Sequence, residues 1–184
     1  MDIDPITYTI DSNLVEEKVK FYQSKGKKVK AIIGVDYAGH PCNWKALREI
    51  ADKYNLKLVN DNCHALGANY NSDKQYAVKY ADVVTQSYHP VKHITTGEGG
   101  AVLTDDPELY RQTFLLRKHG IDRREEMFSK EKRIDSWIYE MEALGFNYRM
   151  TDFQAALGVG QMERYGQNVA GRRRNARTYC ELLK

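Results

Sequence analysis

Three side chains in the middle of the sequence have the types and spacing of a chemical site: the acid Asp61, the hydroxyl of Ser87, and the amine of Lys92 five residues further on. Asp61 lies in Asn60-Asp61-Asn62-Cys63-His64-Ala65-Leu66-Gly67-Ala68, just after the apolar run Leu56-Lys57-Leu58-Val59. Ser87 opens the segment Ser87-Tyr88-His89-Pro90-Val91-Lys92-His93-Ile94-Thr95-Thr96-Gly97-Glu98-Gly99-Gly100. A lysine amine forms a Schiff base with a carbonyl, and a carboxylate beside a pyridine nitrogen favours the protonated ring. A hydroxyl in the lysine's own loop can donate to a phosphate oxygen. These are the needs of pyridoxal 5'-phosphate, whose protonated ring is an electron sink while the released lysine shuttles a proton as base and acid.

Such residues need a scaffold that brings loops to one edge. Lys28–Val35 is a short run rich in β-branched residues and reads as a buried strand. After the turn Gly39-His40-Pro41, Asn43 is placed to cap a helix whose apolar face is Trp44, Leu47, Ile50, Ala51 and Tyr54. Further strands are expected at Leu56–Val59, Ala81–Gln86 and Gly100–Thr104. Asp106-Pro107-Glu108 opens another helix, and Gly120 suits its left-handed stop. A helix near Thr151, with Gln154 at capping-box spacing, would bury Phe153, Ala156, Leu157 and Gly160. Asp11 or Ser12 can cap a first helix that uses Val15, Val19 and Tyr22. The charged stretch from Ile121 to Ser136 reads as a surface excursion. Strands separated by helices imply an α/β fold, a mostly parallel sheet with flanking helices, whose ligands bind beyond the carboxyl ends of the strands. Asp61 and Ser87 fall at such ends.

Composition narrows the partners. The 184 residues hold 28 Lys and Arg against 25 Asp and Glu, and the resulting +3 argues for neither nucleic acid nor an anionic membrane. No apolar run approaches the ~18 residues that span a bilayer, and residues 1–25 lack a signal-peptide core. Cys42, Cys63 and Cys180 are odd in number and form no CxxC, which fits reduced thiols in the cytoplasm. His89 and His93 would suit zinc on a helix, but Pro90 and the loop context set a metal aside. Arg172-Arg173-Arg174 reads as the solvated face of a helix. The Gly97–Gly100 cluster is no Walker loop, since no Gly-Lys-Ser/Thr follows. Its glycines permit a tight positive-φ turn.

The blocks Asp61-x-x-His64-Ala65-Leu66-Gly67-Ala68, Ser87-x-His89-Pro90-x-Lys92 and Thr95-Thr96-Gly97-Glu98-Gly99-Gly100, and then Leu144–Gly158, resemble the sugar-nucleotide aminotransferases of the DegT/DnrJ/EryC1/StrS family. The resemblance runs through nearly the whole chain with the blocks in order. Within the family, the lysine loop most resembles the branch that serves pseudaminic acid biosynthesis. The resemblance implies Lys92 as the Schiff-base lysine and Asp61 as the partner of the pyridinium nitrogen. It implies His64 against the cofactor near its phenolic oxygen, and Ser87 on the phosphate. Asn147 matches an asparagine that reaches the phosphate of the neighbouring subunit, so the expected assembly is a homodimer. The expected reaction moves an amino group, from L-glutamate, to the 4-keto carbon of a nucleotide-linked deoxy sugar, a precursor of cell-surface glycans or nonulosonic acids.

The same resemblance sets an expectation about extent. Residues 1–165 match part of the large domain of a fold-type I aminotransferase, without its opening helix and loop-to-helix segment. Residues 166–184 match the start of the helix that leads to a smaller C-terminal domain. Alternatives of another class are a silent remnant, or a module that binds cofactor or sugar nucleotide without turnover.

Overall fold

The computed structural model describes residues 2–122 and 139–183. They form two compact units, one from Met1–Leu103 with Asp152–Lys184 and the other from Thr104–Thr151. The first is organised by four strands in the order β1 (Ala31–Val35), β2 (Lys57–Asp61), β3 (Val83–Ser87) and β4 (Gly100–Leu103). It also holds α1 (Ser12–Ser24), α2 (Trp44–Lys53) and α3 (Tyr76–Tyr80). The second unit contains α4 (Pro107–Leu116), then β5 (Ile121–Asp122) paired antiparallel with β6 (Glu140–Met141). The chain returns to the first unit as α5 (Asp152–Glu163) and α6 (Tyr165–Leu182).

β1, β2 and β3 run parallel, with Val35 opposite Asp61 and Asp61 opposite Thr85. The sheet is therefore mostly parallel, as the alternation of strands and helices implies. β4 instead runs antiparallel to β3, with Ser87 opposite Gly100 and Val84 opposite Leu103. A parallel return needs a crossover, usually a helix, and none lies between Ser87 and Gly100. β2 also extends through Asp61, so the acid is the last residue of the strand and not the first of the loop.

The core lies on one face of this sheet. Asn43 caps α2, its side chain accepting from the Ala46 N–H. α2 then buries Trp44, Leu47, Ile50 and Ala51, the face read from its spacing, while Tyr54 is half-buried. A Cβ at Gly34 would sit 2.7 Å from the Trp44 ring, so glycine is what lets α2 approach β1 this closely. Asp11, and not Ser12, caps α1, which lays Val15 and Val19 against the same core and leaves Tyr22 exposed. On the opposite face Ile33 is 60% exposed and Val102 is 50% exposed.

The expected buried stripe of α5 is not buried. Phe153 is 91% exposed, Leu157 is 43% exposed, and Ala156 is exposed too, while Gly160 is half-buried. Apolar residues are exposed on more than one side of α5, Val159 and Met162 among them, so the spacing did not mark a buried face. In the second unit, Asp106 caps α4 through the Glu108 and Leu109 amides, with Pro107 at the first turn, and Gly120 takes φ 70°. Most of the charged stretch after Ile121 lies outside the described residues.

At the end of β1 the fully buried Asp36 gathers four donors. Its Oδ1 accepts from the Cys42 N–H at 2.9 Å and from Trp44 Nε1 at 2.9 Å. Its Oδ2 accepts from Asn62 Nδ2 at 2.8 Å and from the Tyr76 hydroxyl at 2.7 Å. Burial and then the Asp36 charge push the Cys42 thiol up to about 12. Asp36→Ala orphans all four donors and should cost roughly 3–5 kcal/mol in urea unfolding. Tyr76→Phe removes two bonds, the one it donates to Asp36 and the one it accepts from Asn62 Nδ2, and should cost about 1–3 kcal/mol. Equal midpoints for Asp36→Ala and the parent chain would contradict this.

Candidate cofactor site

The carboxyl ends of β2 and β3 set two of the expected residues side by side. Asp61 pairs with Thr85, and Ser87 lies two residues beyond Thr85 on the same face of β3. That face is the one α2 does not cover. Asp61 Oδ1 accepts from the Cys63 N–H at 3.1 Å, which turns the chain sharply after the strand. The strand ends are locked further by Asp36 N–H to the Asp61 carbonyl at 3.1 Å and Asn62 N–H to the Thr85 carbonyl at 3.0 Å.

Cys63, which the sequence marks only as a reduced thiol, follows Asp61 by two residues and packs against Thr85. Its thiol lies 3.8 Å from the Thr85 carbonyl. Burial raises its pKa first, and the Asp61 carboxylate raises it again by hydrogen bond and charge. Thr85 and the positive charge of Lys92 act in the opposite direction. Asp61 and Lys92 therefore both act on one sulfur.

The loop that carries Lys92 is held by its own polar groups. The Lys92 N–H donates to the His89 carbonyl at 2.9 Å, and Ser87 Oγ accepts from the His89 N–H at 3.4 Å. Tyr88 accepts at its carbonyl from the Thr96 N–H and the Thr95 hydroxyl, each at 3.0 Å. Gly97 takes φ 79°, the tight turn expected of it. A Cβ at Gly100 would sit 2.5 Å from the Gln86 carbonyl oxygen, so the first residue of β4 must be small.

Two late helices also grip this loop. Gln154 Nε2 of α5 donates to the Glu98 carbonyl at 2.9 Å. Arg172 Nη2 of α6 donates to the carbonyls of Val91 at 3.2 Å and Lys92 at 2.8 Å. Arg172 is thus not merely a solvated charge. No local signal in the sequence marks it, because its partners are backbone carbonyls about eighty residues away.

His64 is set by the turn after β1, its Nδ1 accepting from the Ala38 N–H at 3.4 Å. It lines a cleft of about 250 Å3 with Leu66, His93, Arg172 and Arg173. The structure thus gathers Asp61, His64, Ser87 and Lys92 around the carboxyl end of one sheet. Asn147 belongs to the second unit, where its backbone bridges Lys118 and its side chain is exposed. An acid, a hydroxyl, an imidazole and an amine in this arrangement can bind a cationic ring and a phosphate, and can attack a carbonyl. Among the described residues no cluster of metal-ligating side chains occurs, and no helix is long and apolar enough to cross a membrane.

The profile of the DegT/DnrJ/EryC1/StrS aminotransferase family matches residues 1–184. Over 170 residues the chain is 39% identical to the UDP-4-amino-4,6-dideoxy-N-acetyl-beta-L-altrosamine transaminase of Campylobacter jejuni, covering 92% of this chain and 42% of that protein. It is 34% identical to the GDP-perosamine synthase of Caulobacter vibrioides, covering 100% of this chain and 44% of the synthase. Among solved structures, Helicobacter pylori PseC, an aminotransferase involved in the biosynthesis of pseudoaminic acid, superposes with a TM-score of 0.85 at 30% identity. That match covers 100% of this chain and 45% of PseC. The chain spans less than half the length of each of these relatives.

One titration follows from the cleft. Burial first, then the charges of Arg172, His64 and Lys92, hold the His93 imidazole below its ordinary value of 6.5. Above pH 6.5 it is neutral whether the chain is folded or not. Below that pH the unfolded chain takes up the proton first, so stability falls as the pH drops from 6.5 toward the folded value. His93→Gln should flatten the melting-temperature profile just below pH 6.5. Parallel profiles for the two proteins would rule the assignment out.

Proposed function

The chain belongs to the DegT/DnrJ/EryC1/StrS aminotransferase family, and on that footing we propose that it forms the pyridoxal-phosphate-binding core of a sugar-nucleotide aminotransferase. The reaction is amino transfer, from L-glutamate, to the 4-keto carbon of a nucleotide-linked deoxy sugar, on a route to pseudaminic acid or a related nonulosonic acid. The observation that carries this reading is the placement of Asp61 and Ser87 on one face at the end of the parallel strands, with Lys92 in the loop that follows Ser87. Names of relatives that make amino sugars support the substrate class.

The donor set fits the cofactor group by group. Asp61 holds the proton on a ring nitrogen, since a nearby carboxylate stabilises the cation. Ser87 Oγ donates to a phosphate oxygen. His64, with Nδ1 engaged by Ala38, keeps Nε2 for the phenolic oxygen. When bound, pyridoxal phosphate supplies a carbonyl for covalent attachment and a ring that takes up the electron pair left by a departing Cα proton. Lys92 Nζ provides the attachment and, once released, moves that proton as base and then acid.

Asn147 acts in the neighbouring subunit, on its phosphate, which makes the working assembly a homodimer. The exposed apolar residues Phe153 and Leu157 of α5, one turn apart, are the kind of surface a second copy buries. Residues 1–165 form part of the large domain, and α6 leads toward the smaller one.

Pyridoxal phosphate added to the chain and reduced with borohydride should leave a stable adduct that peptide mass spectrometry locates on Lys92. Lys92→Ala should yield none. Asp61→Asn should lower the adduct at limiting cofactor about tenfold or more, the scale of a pK shift of one unit or above. An adduct spread over surface lysines, unchanged by Lys92→Ala, would sink the proposal.

A further inference from the structure

Two dihedrals decide the direction in which the Lys92 side chain leaves the backbone. Its Cα–Cβ direction is fixed once the peptide planes on either side of its Cα are fixed, because each plane is rigid and only φ and ψ turn between them. The preceding plane contains the Val91 carbonyl and the Lys92 N–H. The following plane contains the Lys92 carbonyl.

Both planes are held from outside the lysine's side chain. In the preceding plane the Lys92 N–H donates to the His89 carbonyl at 2.9 Å, and the Val91 carbonyl accepts from Arg172 Nη2 at 3.2 Å. In the following plane the Lys92 carbonyl accepts from the same nitrogen at 2.8 Å. One guanidinium nitrogen of α6 thus ties together the two peptide groups that flank the reactive residue. Bonds from a charged donor are stronger than neutral ones, and a planar guanidinium loses little freedom in making two of them. Gln154 holds the far end of the same loop at the Glu98 carbonyl, so the lysine segment is gripped by α5 and α6 together.

We propose that Arg172 is a positioning residue for Lys92: by clamping the Val91 and Lys92 carbonyls, it fixes where the lysine side chain leaves the loop and so narrows the region in which its amine meets a carbonyl partner. The inference rests on the reading of Lys92 as the attachment lysine. Arg172 takes no part in bond making. Its contribution is orientation, which governs how often the amine is aligned for attack.

Hydrogen exchange on the cofactor-free chain tests the clamp without reference to pyridoxal phosphate. In Arg172→Ala, amides of the His89–Ile94 segment should exchange about tenfold faster, while those of β1 and β2 keep the parent rates. Arg174→Ala, a neighbouring arginine on α6, should leave the loop's exchange unchanged. Arg172→Lys keeps the charge on a shorter side chain and should recover only part of the protection, and it serves also if Arg172→Ala is too unstable to purify. The link to the lysine is read from the rate at which borohydride-trapped pyridoxal phosphate accumulates on Lys92, which should fall about tenfold in Arg172→Ala and partly recover in Arg172→Lys. Unchanged loop exchange in Arg172→Ala overturns the clamp, as does a uniform rise across the sheet. Faster loop exchange with an unchanged adduct rate overturns the positioning role. Failure of the parent chain to form any adduct on Lys92 instead refutes the attachment-lysine reading, and with it the role of Arg172, while the exchange data still decide whether the clamp exists.

Discussion

The buried carboxylate of Asp36 is the constraint on which the rest of this structure depends. It sits where β1 ends and takes donors from the start of α2, from the turn after β2, and from α3. An acid with no exposed surface is tolerable only if its lone pairs are filled, and here they are filled by groups from three separate segments. This fixes how far each strand runs before it turns. Asp61 and Asn62 stand where they do because Asn62 is bound on one side to Asp36 and on the other to Thr85 of β3. The catalytic geometry proposed for Asp61 is thus inherited from a network that touches no substrate.

Two kinds of information separate the legible from the illegible parts of this fold. α2 and the caps at Asn43 and Asp106 were readable because they follow from local periodicity and from positions that few residue types fill, whereas α4 ends at Leu116 and His119 takes the first left-handed turn, before Gly120. The ends of β1 and β2 shifted by a few residues because a strand's limits are set by its neighbours' hydrogen bonds. The reversal of β4 is visible in retrospect: the connection from Ser87 to Gly100 carries no helical pattern, and without one a parallel return is unfavourable. The stripe expected on α5 is exposed, because spacing alone cannot say what packs against a helix.

The site divides in the same way. Asp61, Ser87 and Lys92 were legible because their types answer one cofactor's chemistry, and the structure brings them to one sheet end. The roles of Cys63 and Arg172 were not legible. Cys63 gains meaning only from its neighbours Asp61 and Thr85, and Arg172 from two backbone oxygens that no residue code can advertise. Asn147, proposed to serve another subunit, belongs to the second unit.

The distance in sequence between Lys92 and Arg172 bears on how such a chain matures. The sheet strands and α2 draw on contacts within the first half of the sequence, and short-range contacts form quickly. The guanidinium that restrains the lysine segment arrives eighty residues later. During synthesis, at about 5–20 residues per second, Lys92 is therefore exposed for several seconds before α6 emerges to restrain it. On the proposed roles, the attachment amine is made early and restrained late, so a nascent chain carries Lys92 before it carries the clamp.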